Sequence, residues 1–158
     1  MRLEVTRRAG LAVRAVAALA PAGRPVKAVD LAAALATTAG FVPQVIGPLV
    51  KAGWVRSIPG PTGGYALTDA ASAASVLDVV EAVDGPTENG RCVVEGHPCG
   101  SAGAPCALHA AWATSRAALL TDLARTPAVP EPSAASHPAA DSQPSAASDP
   151  AAAPRPPQ

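Results

Sequence analysis

Cys92, Cys99 and Cys106 are the only cysteines in this 158-residue chain, and all three fall in one stretch that Gly90, Gly96, Pro98, Gly100, Gly103 and Pro105 break into turns. Such a stretch can wrap an object but cannot build regular structure of its own. His109 follows Cys106 by three residues, a spacing that puts both side chains on one face of a helix expected to start at Pro105 or Cys106. In that first turn the helix dipole favours the Cys106 thiolate. Three soft thiolates and an imidazole make a complete ligand set for zinc or for an iron–sulfur cluster. The alternative, three inert buried thiols, fits poorly, because such cysteines usually sit in apolar elements. Structural zinc sites bring their ligands as close C-x2-4-C pairs. Here six residues separate successive thiols, a looser wrap that leans toward a larger inorganic core, with zinc as the alternative. His97 is a substitute ligand, read as a solvent-exposed loop histidine.

Length allows one modest domain with a tail. Twenty-four of the 33 residues from Thr126 onward are Pro, Ala or Ser, too few apolar groups to offset the entropy of ordering, so residues 126–158 are expected to form a disordered tail. Aromatics are confined to Phe41, Trp54, Tyr65 and Trp112. Burial must therefore rely on Leu, Val and Ala, which favours closely packed helices and a core completed by a partner subunit. Net charge is zero, but residues 1–66 hold eight basic groups against two acidic ones, a balance of +6 that residues 67–158 cancel. One region suited to phosphates and another facing solvent or a partner would give this asymmetry.

Arg7-Arg8 precedes an Ala/Leu/Val-rich run that resembles a leader, but Arg14 interrupts it, and Leu11, Ala15 and Leu19 recur at helical spacing. An amphipathic first helix, from about residue 4 to Ala20, accounts for the run better than a signal or membrane span. With an odd cysteine count in no disulfide pattern, the chain is expected to be cytoplasmic.

Pro21-Ala22-Gly23 ends the first helix. Asp30 caps or opens the second, with Leu31, Ala34 and Leu35 on one face, and Thr37-Thr38-Ala39-Gly40 turns into a third helix from about Phe41 to Ala52 anchored by Val45 and Leu49. Gly53 stops it in the left-handed conformation. Two helices joined by a short Gly-containing turn match a helix-turn-helix. Trp54–Ile58 and Tyr65–Leu67 then alternate as strands around Pro59-Gly60-Pro61-Thr62-Gly63-Gly64, the hairpin of a winged helix, whose open backbone N–H groups can approach a phosphate or enter a minor groove. A fourth helix, Ser75 to about Val83, lines up Val76, Val79, Val80 and Val83. The last runs to about Ala124, with Leu108, Trp112, Ser115, Leu119 and Leu123 as one stripe suited to subunit pairing or to packing on the first helix. The expected fold is mainly α with a small β-hairpin: a winged helix-turn-helix domain over 1–84, a cluster-binding loop over 85–108, a long dimerisation helix over 105–125 and the tail.

These residues resemble the iron–sulfur cluster regulator (IscR) family of winged-helix repressors, which includes nitric-oxide-sensing members. The likeness lies in Met1-Arg2-Leu3, the helix-turn-helix, the wing Gly60-Pro61-Thr62-Gly63-Gly64-Tyr65, the segment Val76–Val83, and Arg91-Cys92 through Cys106-Ala107-Leu108-His109-Ala110-Ala111-Trp112. The resemblance implies that Cys92, Cys99, Cys106 and His109 ligate a 2Fe-2S cluster in a homodimer whose C-terminal helices cross. Nitric-oxide-sensing relatives add an N-terminal carboxylate to a 4Fe-4S cluster; here Arg7-Arg8 stands in that region with only Glu4 nearby, so 2Fe-2S is preferred. It also implies that the third helix enters the major groove of a double-stranded operator with Gln44 reading bases, the wing (Gly60, Thr62, Gly63, Gly64, Tyr65) follows the minor groove, and Thr38, Lys51 and Arg56 contact phosphates. Pro43 stands where a polar residue is common, and Pro48 interrupts the helix, so base preference should differ.

The function expected is a repressor controlled by its cluster. A zinc-stabilised DNA-binding module without sensing is the alternative, and an electron carrier fits the basic half and wing poorly. No nucleophile–base–orienter set marks an enzyme, and a fully ligated metal leaves no position for a small-molecule substrate. The Tyr65 hydroxyl is read as wing packing.

Overall fold

The computed structural model describes residues 5–87, Cys92, Cys99 and residues 104–130. Among these residues, five α-helices and one hairpin follow in the order α1 (Arg7–Leu19), α2 (Ala28–Leu35), α3 (Val42–Lys51), β1 (Val55–Ile58), β2 (Gly64–Leu67), α4 (Val76–Asp84) and α5 (His109–Arg125), with short 3-10 turns at Ala20–Ala22 and Asp69–Ala73. This is the expected mainly helical fold with a winged hairpin; the 3-10 turn after the wing carried no sequence signal.

Thr6 caps α1, its hydroxyl accepting the Ala9 N–H at 3.1 Å, and Ala9, Leu11, Ala12, Ala15, Val16 and Leu19 turn inward. With alanine at half of these positions, neighbouring backbones can approach closely, and α1 packs against α2, α3 and α4. The Thr6 hydroxyl also donates to the Asp84 carboxylate at 2.7 Å, tying the start of α1 to the end of α4.

The second helix takes one of the two roles expected of Asp30 and departs from expectation at Ala34. Lys27, not Asp30, is its N-cap, and Asp30 lies in the first turn, where a carboxylate complements the positive helix end. Leu31, Ala32 and Leu35 are buried while Ala34 is exposed, since 3.6 residues per turn rotate position 34 outward. Ala36 closes α2 in the left-handed conformation (φ 51°), with Thr37 N–H bonded to the Ala32 carbonyl at 2.9 Å.

In α3, Val42, Val45, Ile46 and Leu49 have no exposed surface. The helix is continuous through Pro48, which has no N–H for the Gln44 carbonyl. Gly53 stops it at φ 82°, as expected.

The hairpin pairs Val55 with Leu67, Arg56 with Ala66, Ser57 with Tyr65 and Ile58 with Gly64. Val26 extends it from outside: its N–H and carbonyl each bond to Tyr65 at 2.8 Å. A Cβ on Gly64 would overlap the Val26 carbonyl, and one on Gly63 the Ile58 carbonyl, so both glycines are required by packing.

Ser75 opens α4 with a capping box, its hydroxyl accepting from the Asp78 N–H while the Asp78 carboxylate accepts from the Ser75 N–H. Val79, Val80 and Val83 enter the core. Helix α5 starts at His109, later than expected, because Cys106 lies in the turn before it. It packs on α4, yet no α5 residue is buried.

After α5 the chain remains packed beyond the expected boundary at 125. Thr126 accepts from the Val76 N–H, Ala128 donates to the Ala74 carbonyl, both at 2.8 Å, and Ala128 is only 4% exposed. Backbone pairing beside Ser75 holds this segment despite its Pro/Ala composition. Residues 131–158 of the expected tail lie outside the described residues.

Candidate metal centre and nucleic-acid interface

The three thiols converge although few residues between them are described. Cys92 Sγ lies 3.5 Å and Cys99 Sγ 3.9 Å from Cys106 Sγ, and all three sulfurs fall within 4.8 Å of one another. Cys99 Sγ is 3.1 Å from His109 Nδ1. His109 is the first residue of α5, and its N–H bonds to the Cys106 carbonyl at 3.0 Å. This tight turn, rather than a shared helix, holds Cys106 and His109 together. The sulfurs are half-buried and His109 is exposed. His97 and Glu4 lie outside the described residues.

The Cys99 thiol is held above its ordinary range. A backbone hydrogen bond at Cys106 is the strongest single influence and favours its thiolate, but the Cys92 and Cys106 thiols and desolvation together outweigh it. Crowded thiols resist ionising side by side without a cation, and a bound metal reverses that balance. Soft donors this close fit a metal centre.

Thr87, at the head of the cysteine stretch, is clasped from two helices. Its N–H and hydroxyl donate to Glu81 Oε1 at 2.9 and 2.5 Å, and the Arg116 guanidinium donates to its carbonyl. The Glu81 carboxyl lies below its ordinary range, chiefly through the Thr87 hydroxyl. Sequence reading missed this clasp because isolated Glu, Thr and Arg carry no motif.

Of the residues expected to meet DNA, Thr38, Pro43, Gln44, Lys51, Arg56, Gly60 and Thr62 are exposed. Gly63 is buried, and Gly64 and Tyr65, at the start of β2, are half-buried. Leu108, just before α5, and Leu119 on it are 49% and 46% exposed, Ser115 is exposed, and Trp112 and Leu123 are half-buried. No helix among the described residues is long and apolar enough to cross a membrane.

A helix-turn-helix followed by a two-stranded wing and a C-terminal helix defines a winged-helix transcriptional regulator. The chain belongs to the Rrf2 family, described as iron-dependent transcriptional regulators, whose family model matches residues 5–127. It is 35% identical over 88 residues to the HTH-type transcriptional regulator IscR of Escherichia coli O1:K1, a match covering 56% of this chain and 53% of that one. It thus spans about half the length of the curated relatives it matches. In fold it is similar to CymR, the global cysteine regulator of B. subtilis (TM-score 0.65, 22% identity, covering 80% of this chain and 94% of that one). It is also similar to T. potens IscR (TM-score 0.59, 22% identity, covering 80% and 83%).

Proposed function

We propose that the chain is a repressor whose grip on a double-stranded operator is set by an iron–sulfur cluster at Cys92, Cys99, Cys106 and His109. The observation that carries this reading is the gathering of three sulfurs and an imidazole where α5 begins. When bound, the cluster supplies a centre sensitive to redox state, nitric oxide or cluster supply, with 2Fe-2S preferred over 4Fe-4S. Because the His109 N–H is bonded to the Cys106 carbonyl, any rearrangement of the ligands acts on the first turn of α5. The Thr87 clasp joins the same loop to α4 and α5. Helix α4 packs against α1 and α3, giving a contiguous route from the loop to the recognition helix.

In this reading the chain is a cytoplasmic homodimer paired through Leu108, Trp112, Ser115, Leu119 and Leu123, with half-sites ~34 Å apart. Pro43 and Gln44 face base edges, Thr38, Lys51 and Arg56 face phosphates, and the wing from Gly60 to Tyr65 follows the minor groove. It has no enzymatic activity, small-molecule substrate or membrane contact. Anaerobic purification tests the centre: red-brown protein with iron and sulfide in equal amounts is expected. Substituting alanine at Cys92, Cys99 and Cys106 should then change operator affinity or choice, and unchanged binding overturns the coupling.

One observation favours a zinc-stabilised module without sensing as the second reading. A tetrahedral ion with bonds of about 2.3 Å sets its sulfurs about 3.8 Å apart, and the separations of 3.5 and 3.9 Å match that edge. Colourless protein carrying zinc would select this reading.

A further inference from the structure

The outward stripe of α3 holds little that can hydrogen-bond. Pro43, Gln44, Gly47, Val50 and Lys51 are exposed along it, opposite the buried Val42, Val45, Ile46 and Leu49. Lys51 stands at the last helical position and suits a phosphate. Within the body of the stripe, Gln44 alone offers a side-chain donor and acceptor together, and Pro43 and Val50 offer only carbon. Gly47 between them offers no side chain at all.

Glycine is among the poorest residues for a helix interior. A Cβ built at position 47 meets nothing within 4 Å beyond its chain neighbours and the backbone of α3 itself, so the core does not require the gap. Its effect is outward: the α3 backbone can approach an opposing surface by roughly a methyl group more. A helix with its side chains, about 10–12 Å across, nearly fills a major groove about 12 Å wide. A bare position mid-stripe therefore governs how deeply the helix seats.

We propose that Gly47 is a specificity-determining residue. It lets α3 seat deep enough for the Gln44 amide to pair with an adenine edge while Pro43 and Val50 pack on thymine methyl groups, selecting a half-site centred on A·T pairs. Glutamine pairs with adenine N6 and N7, and apolar groups favour the thymine methyl. The inference rests on the operator-binding reading. Pro48 offers a rival reason for the glycine, because a proline ring crowds the Cβ of a preceding helical residue.

The test uses the full chain, purified anaerobically, to select duplexes from a random pool. An A·T-centred half-site is expected. On that duplex G47A/P48A should bind at least about tenfold more weakly than P48A, and Q44A about tenfold more weakly than the unsubstituted chain. Replacing the half-site thymines by uracil, which removes only the methyl group, should weaken binding about fourfold per contacted base. Binding to an unrelated duplex should not change. A G·C-centred site, or G47A/P48A binding like P48A, overturns the inference and leaves operator binding standing. Should G47A/P48A not fold, undiminished binding by Q44A and to the uracil duplex overturns it equally. Selection of no duplex defeats the operator-binding reading and this inference with it.

Discussion

Gly64 illustrates how one residue can serve both a binding surface and a fold. Sequence reading places it in a wing that approaches DNA, but its φ of 149° and the Val26 carbonyl standing where a Cβ would go make glycine obligatory for packing alone. Substituting alanine should cost about 2 kcal/mol or more and lower the thermal midpoint by roughly 6 °C or more, measured by circular dichroism without DNA. Ala36 is the converse case. It is the one non-glycine residue with positive φ among those described, and nothing local announces it, because alanine ordinarily favours helix. Ala36→Gly should stabilise the protein by about 0.5–1 kcal/mol, since a left-handed position penalises any Cβ; a lowered midpoint would count against that assignment. The cysteines were legible for the opposite reason: no other thiol competes with them, and all three fall in one stretch rich in Gly and Pro. The placing of His109 beside Cys106 rests on a turn that spacing alone cannot distinguish from a first helical turn.

Helix α4 concentrates the electrostatics of the fold. The Asp78 carboxyl is held below its ordinary range by the Ser75 hydroxyl and then by the Ser75 N–H, and Glu81 by the hydroxyl and N–H of Thr87. Folded values below unfolded ones mean stability that is complete at neutral pH and is lost as pH falls through the unfolded range, about 4, toward the lower folded values. Acid titration monitored by tryptophan fluorescence should therefore show a steeper loss below about pH 4.5 for the unsubstituted chain than for Asp78→Asn. At neutral pH, Ser75→Ala should cost about 1 kcal/mol, the ordinary worth of an N-cap. The valine stripe of α4 and the inward faces of α1 and α3 were readable because period 3.6 marks buried residues directly. The segment after α5 was not: Thr126–Val129 read as part of the Pro/Ala/Ser-rich tail, yet backbone hydrogen bonds to Ala74 and Val76 fix them to the core. Composition reports side chains, and this segment is held largely by its main chain.

At the scale of the whole molecule, α5 lies on α4 without burying any residue of its own. A helix fastened this way keeps the fold intact while leaving apolar surface uncovered, with Leu119 46% exposed and Leu108 49% exposed. A second copy offering the same stripe would cover it, as in an isologous interface. Leu119→Glu then has a distinct signature. Because position 119 lies outside the core, the helical circular dichroism spectrum should persist, but sedimentation at micromolar concentration should shift to monomer, and the thermal midpoint should lose any dependence on protein concentration. Operator binding should weaken along with it, because each lone head keeps only its own phosphate contacts. The basic excess of residues 1–66 makes that loss measurable as a salt slope: each phosphate contact contributes about −0.9 to the slope of log affinity against log salt. Halving the contacts in the monomer should roughly halve the slope. A Leu119→Glu protein that stays dimeric and keeps the full slope would place the subunit interface elsewhere.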